Sequence, residues 1–162
     1  MSSKVKPIPE GFHTLTPHIT VRDASGAIEF YKKALNAQVL HVSKMPDGKV
    51  MHASLKIGDS IFMLNDEFPE WGGAPAPRGE APGFAIHVYV DDVDKVFPQA
   101  IAAGAVAKMP LMDQFWGDRY GTVVDPYGFK WALATHVRDV TPEEMERAQA
   151  DMAKQMPHRK TA

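Results

Sequence analysis

The run His18-Ile19-Thr20-Val21-Arg22-Asp23 returns 69 residues later as His87-Val88-Tyr89-Val90-Asp91-Asp92, and Asn36-Ala37 returns 68 residues later as Gly104-Ala105. A repeat of this length is one supersecondary unit that cannot cover its own apolar face, so the chain is predicted to fold as two related modules that cover each other. Thr16, His18 and Thr20 alternate with Pro17, Ile19 and Val21, the period of two of a strand with one buried face. Asp23 or Ser25 can cap a helix carrying Ile28, Tyr31 and Leu35, and Asn36 suits the left-handed turn that ends it. Strands follow over Val39 to Ser43, Val50 to Ile57 and Ser60 to Leu64, with turns at Pro46-Asp47-Gly48 and Gly58-Asp59. The first unit therefore reads βαβββ.

The second unit begins with a strand over Phe84 to Val90. Asp92 caps a helix bearing Val93, Val96, Phe97, Ala100 and Ile101, and Gly104 ends it. Pro98 removes a backbone donor inside this helix, which predicts a kink or a late start. Pro110 to Phe115 leads into Trp116-Gly117-Asp118-Arg119-Tyr120-Gly121. A strand over Thr122 to Val124, the turn Asp125-Pro126-Tyr127-Gly128 and a last strand over Phe129 to His136 follow. The fold class is α+β. We divide the chain into an arm at 1–13, a domain at 14–137 and a helical tail at 138–162. Within the domain, module one covers about 14–66, a Pro/Gly-rich linker 67–83 and module two about 84–137. In the tail, Thr141-Pro142-Glu143-Glu144 is a capping box, and Met145, Ala148 and Met152 form an apolar stripe.

Composition narrows the function. With 18 basic and 20 acidic residues the net charge is -2, too balanced to hold nucleic acid or an anionic membrane surface. The absence of cysteine rules out disulfides and thiolate ligands and fits a reducing compartment, so the expected location is cytoplasmic. No segment has the apolar length of a signal peptide or membrane helix. No phosphate-binding loop, dinucleotide fingerprint or serine nucleophile elbow occurs.

The βαβββ repeat, the run "TPHITVRD" entering "AIEFYKKALNA", and "FWGDRYGTVVDPYGFKWALATH" resemble the vicinal oxygen chelate superfamily and, within it, the PhnB-like branch. That superfamily contains glyoxalase I, bleomycin-resistance proteins, fosfomycin-resistance enzymes and extradiol dioxygenases. The resemblance spans about residues 14–137 and implies a curved sheet around a small-molecule hollow. It does not by itself name an activity. Metal-using members carry His or Glu on the first and last strand of each module. Those positions fall on Thr16, Ala85, Ala132 and near Met63 here, so the usual four-ligand metal site is not expected, nor is another cofactor. His18 and His87 lie two residues further on with the same parity. They either form a displaced divalent-metal site with one more ligand, or remain neutral and contact each other or a ligand.

Trp116, Asp118 and Arg119 flank a glycine turn, and Trp116, Gly117 and Arg119 match in kind a W-G-x-R-x stretch near the ligand crevice of bleomycin-resistance proteins. The alternative is an internal ion pair with Trp116 as core. His136 shares the parity of Ala132, and Phe62 and Tyr89 line either a pocket or the core. The first functional reading is a small-molecule binding protein that acts by sequestration, with His18, His87, Tyr89, Trp116, Asp118, Arg119, His136 and Phe62 around the ligand. The second is a metal-dependent lyase, isomerase or dioxygenase using His18 and His87. A third, a module that only binds another protein, draws on the tail helix alone. The resemblance and the Met145/Ala148/Met152 stripe predict a homodimer. The segment 67–83 is either a lid over the pocket or a plain linker.

Overall fold

Both modules begin alike because equivalent polar side chains hold equivalent turns. Strand β1 (His18–Val21) passes into helix α1 (Ala24–Leu35) at Asp23, whose carboxylate accepts from the Gly26 amide at 2.9 Å. Strand β5 (Ala85–Tyr89) passes into α2 (Val93–Ala102) at Asp92, which accepts from the Lys95 amide at 3.2 Å. Each helix start is also tied to the last strand of its sheet. Asp66 accepts from the Ala24 amide at 2.9 Å, and Thr135 Oγ1 accepts from the Val93 amide at 2.8 Å. These bonds satisfy amides that a helix leaves unpaired at its N-terminus. Asn36 adopts the left-handed conformation that closes α1, with φ of 54°.

The computed structural model describes residues 5–155; the first four residues of the arm and the last seven of the tail lie outside it. The first sheet adds β2 (Gln38–Lys44), β3 (Val50–Ile57) and β4 (Ser60–Asp66) in the order β1-β4-β3-β2. The second adds β6 (Val106–Asp113), β7 (Asp118–Val124) and β8 (Lys130–His136) in the order β5-β8-β7-β6. In both, the first strand runs parallel to the last, with His18 opposite Met63 and His87 opposite Ala132. The registers are thus the same 69 residues apart, and the two βαβββ units are structural repeats. This is the tandem α+β architecture expected from the sequence.

The helix-facing sides of the two sheets share one core. Ile19, Val21, Leu55, Leu64, Val123, Trp131 and Leu133 are all buried in it. Phe62 and Trp131 are equivalent positions of the repeat, and their rings meet edge to face at 5.8 Å. Tyr31 packs on both at 5.3 Å and donates its hydroxyl to the buried Asp125 at 2.7 Å. Gln99 of α2 donates to the Lys33 carbonyl at 2.8 Å and to Asn36 Oδ1 at 3.0 Å, capping α1 from the other module. The modules meet through the helices and this aromatic junction, and among the described residues no strand of one sheet pairs with a strand of the other.

Two local readings change. α2 starts at Val93 and runs through Pro98 without the late start expected, because the carbonyl that loses its partner, on Asp94, lies on the exposed side. Strand β6, which the sequence pattern did not reveal, is an edge strand, and its register slips between Met109 and Met112, around Pro110, where no amide can join the ladder. The capping box at Thr141 forms reciprocally, its amide donating to Glu144 at 2.9 Å and its hydroxyl accepting at 3.2 Å. The helix it starts, α3 (Pro142–Gln155), packs on no other element among the described residues.

Candidate functional site

Strand alternation sends the aliphatic residues Ile19 and Val21 under α1 and leaves His18 on the opposite, open face of the first sheet. There the His18 ring lies 5.8 Å from His52, and His52 lies 6.3 Å from His41, so three strands bring three imidazoles together. His18 Nε2 is 2.7 Å from Asn65 Oδ1, and His52 Nε2 is 3.1 Å from Ser54 Oγ. Burial, then the neighbouring His18 and His41, hold His52 below the ordinary histidine value.

The same alternation on the second sheet exposes His87 and Tyr89, with Tyr89 at 63% of its full exposure. His87 lies 5.7 Å from Tyr120. Register makes Tyr120 the counterpart of His52, because Ser54 faces Met63 as Thr122 faces Ala132. Each open face therefore carries a ring pair at the same place, 5.8 Å apart in one module and 5.7 Å in the other.

Beside Tyr120 stands the most organised polar group on this face. Asp118 is 2% exposed and opposite His136 on β8. Its Oδ2 accepts from the Tyr89 hydroxyl at 2.9 Å and from Trp116 Nε1 at 3.0 Å, while its Oδ1 is 2.9 Å from His136 Nδ1. Burial pushes the Asp118 carboxyl up, but the bonds from His136, Tyr89 and Trp116 outweigh it and leave it below the usual carboxylate range. His136 Nε2 meets Asp139 at 3.0 Å, and Asp139 and then Asp118 raise the imidazole above its ordinary value. Gly117 makes this geometry possible. Its φ is 98°, and a Cβ there would collide with the Arg138 carbonyl oxygen, whose chain returns to donate two amides to the Gly117 carbonyl at 2.9 and 3.1 Å.

A cleft of about 510 Å³ lies between the β3–β4 hairpin and β5. Phe62 and Trp131 are part of its apolar lining; His87, Tyr89, Asp59 and Ser60 supply polar groups, and Leu15 and Pro17 close one end. The aromatic face and the cleft are continuous through His87 and Tyr89.

The predicted site residues thus divide. His87, Tyr89 and Phe62 line the cleft, and Tyr89, Trp116, Asp118 and His136 form one hydrogen-bonded group. Arg119 does not join them. The next residue on a strand faces the other way, and its guanidinium is bound by Asp94 at 2.8 Å and Asp113 at 3.1 Å. His18 and His87 share no partner: one meets Asn65 and His52, the other Tyr89 and Tyr120. Within one chain the two histidines therefore do not contact each other, a contact that was one of the alternatives their parity left open. Tyr120, His41 and Asn65 were not singled out in the sequence; for Tyr120 a signal existed in its parity with Asp118.

Thr16, Met63, Ala85 and Ala132 offer neither imidazole nor carboxylate, and among the described residues no three His, Asp or Glu side chains converge to hold an ion. The segment 67–83 is held by local hydrogen bonds. Glu67 accepts from Arg78 at 3.0 Å and from the Ala76 amide at 2.7 Å, and the Ala81 amide donates to Gly128 at 2.8 Å.

A sequence profile of the Glyoxalase/Bleomycin resistance protein/Dioxygenase superfamily matches residues 11–133. The uncharacterized protein Rv0887c of Mycobacterium tuberculosis is 45% identical over 138 residues, covering 83% of this chain and 81% of that one. Among solved structures, TioX from Micromonospora sp. ML1 superposes with a TM-score of 0.60 at 27% identity, over 77% of this chain and 99% of TioX. The PhnB protein from Bacillus cereus does so with a TM-score of 0.61 at 21% identity, over 76% and 99%, a likeness of fold.

Proposed function

The chain belongs to the glyoxalase/bleomycin resistance protein/dioxygenase superfamily, and we propose that on this scaffold it is a small-molecule binding protein acting by sequestration. The observation that carries this reading is the continuity of the 510 Å³ cleft, floored by Phe62 and Trp131, with the exposed face bearing His87, Tyr89, Tyr120, Trp116 and His136. A concave apolar floor with few convergent polar groups is the usual form of a small-molecule site. His18 takes part from the other module's face, and Arg119 supports β7 from behind.

Both open faces need cover that the chain does not give itself. A homodimer places the His18/His52 face of one copy over the His87/Tyr120 face of the other, and the matched registers set the ring pairs at equivalent places on the two sheets. The unit that does this is the domain at 14–137, with 67–83 as linker and α3 outside it. The reading requires no metal at the family positions. A cysteine-free chain is at no disadvantage in a reducing compartment, so a cytoplasmic location accompanies it. No helix among the described residues is long and apolar enough to cross a membrane.

The test is a thermal-shift and calorimetric screen of small aromatic and heterocyclic compounds on the wild type, His87→Ala and Tyr89→Ala. Saturable binding that weakens about tenfold or more in either variant supports the proposal. Elemental analysis after incubation with Zn(II), Ni(II), Mn(II) and Fe(II) tests the rival. One bound equivalent that is lost in the His18→Ala/His87→Ala variant overturns sequestration in favour of a metal-dependent enzyme. Monomers by light scattering at micromolar concentration would remove the shared pocket.

A further inference from the structure

The second module's face carries a more specific signature, one that rests on the small-molecule binding role and narrows it. Its rings succeed one another around a circuit. Trp116 lies 5.6 Å from Tyr120, Tyr120 lies 5.7 Å from His87, and His87 lies 4.7 Å from Tyr89. The two ends of this arc, Tyr89 and Trp116, both donate to Asp118 Oδ2, at 2.9 and 3.0 Å, which closes the circuit on a buried carboxylate.

The charges facing this circuit are few. Asp118, His136 and Asp139 form one chain of contacts at 2.9 and 3.0 Å. They carry one net negative charge with His136 protonated and two without its proton. Two of the cations nearby are committed elsewhere. Arg119 lies behind β7 with Asp94 and Asp113, and Arg138 is 3.7 Å from Glu144. Lys130 shares the face; it stands six residues back along β8 from His136, roughly 20 Å at strand rise, and two residues before Ala132, the partner of His87, roughly 7 Å. Ring faces carry negative potential, and a ring cluster backed by a buried carboxylate favours a positive guest and disfavours a negative one.

We propose that this face recognises an organic cation: a quaternary or protonated amine carried on a compact or aromatic body, seated against Trp116, Tyr120, His87 and Tyr89 with Asp118 as its counter-charge. The ligand class is thereby narrowed from any small molecule to one bearing a positive head group. Asp118 acts as a positioning residue too, because it fixes Tyr89 and Trp116.

The experiment titrates the full chain at about pH 8 with benzyltrimethylammonium, benzyl alcohol and benzoate, which share one ring and differ in charge. Calorimetry gives the affinities, and the indole N–H resonance of Trp116, assigned through Trp116→Phe, reports the place. The expected result is binding of the cation at least about tenfold tighter than of the alcohol or the anion, with a shift of that resonance. In Asp118→Asn the cation-to-alcohol ratio should fall towards one. Tyr120→Leu, which leaves every partner of Asp118 in place, should weaken the cation alone, so a folding defect in the first variant does not decide the matter. Alcohol or benzoate binding as tightly as the cation, with the same resonance shifted, ends the cation proposal and leaves small-molecule binding standing. Silence of the Trp116 resonance to all three probes ends both at this face.

Discussion

Replacing Tyr31 by Phe tests whether one hydrogen bond holds the two modules in register. The Tyr31 ring is fully buried, and its hydroxyl donates to Asp125 at 2.7 Å; the same carboxylate oxygen accepts from Trp131 Nε1 at 2.8 Å. The other oxygen accepts from the amides of Tyr127 and Phe129, both at 2.9 Å. Phe keeps the ring contacts with Phe62 and Trp131, so the loss isolates a bond to a charged acceptor, about 1.5–3 kcal/mol. For a domain of this size that lowers Tm by roughly 3–12 °C. Asp125→Asn turns an N–H towards the Trp131 indole N–H and leaves a buried donor unmatched, about 1–3 kcal/mol. Because both changes strike one bond, the double variant should lose at least about 0.5 kcal/mol less than the two singles together. Burial raises the Asp125 carboxyl against the bonds from Tyr31, Trp131 and the two amides. Its own contribution is therefore greatest below the unfolded value of about 3.9 and declines as pH rises through the folded value. The Tyr31→Phe penalty, which needs the ionised acceptor, should be largest above that folded value and shrink on acidification. Urea unfolding at neutral and acidic pH measures all of this. Additivity within about 0.3 kcal/mol would show that the hydroxyl and the carboxylate do not act together and would refute the argument.

His136 and His52 should titrate on either side of the free value of about 6.5. His136, raised by Asp139 and Asp118, gives stability that is present below that value and lost as pH rises through its folded midpoint, whereas His52, depressed by burial and by His18 and His41, costs stability as pH falls through it. Proton NMR of the imidazoles in the wild type and Asp139→Asn checks this, and a His136 midpoint unmoved by the substitution contradicts it. Gly117→Ala should cost more than about 2 kcal/mol, because it combines a left-handed backbone with a collision against Arg138; chemical denaturation decides, and a loss under about 0.5 kcal/mol would mean the turn relaxes freely. Removing residues 142–162 should leave Tm within about 2 °C, since α3 packs on no element of the domain among the described residues; a larger drop in calorimetry would show that it does.

Alternation and repetition made much of this molecule legible from residue order alone. Period-two patterning depends on which residues are apolar and on nothing distant, so it separates Ile19 and Val21, which are buried, from His18 and His87 on the opposite face of each sheet. Capping is equally local, and Asp23, Asp92 and Thr141 all hold the helix starts assigned to them. Strand β6 escaped notice because its edge position tolerates Pro110 and an irregular register, which blurs the very alternation that would reveal it.

What alternation cannot give is the partner of a side chain. Asp118 and Arg119 are neighbours in sequence and read as a pair, yet a strand turns them to opposite faces, one into Tyr89, Trp116 and His136, the other into Asp94 and Asp113. His18 and His87 are true equivalents of the repeat but are equivalent in different sheets, so likeness in sequence did not make them neighbours. Phe62 and Trp131, also equivalents, do touch, because they face the core the modules share. Residue order determined the module, its caps and the side of each strand, since these follow from contacts a few residues apart. Only the tertiary structure decided which equivalents meet and which remain apart, because that depends on how two sheets pack through their helices.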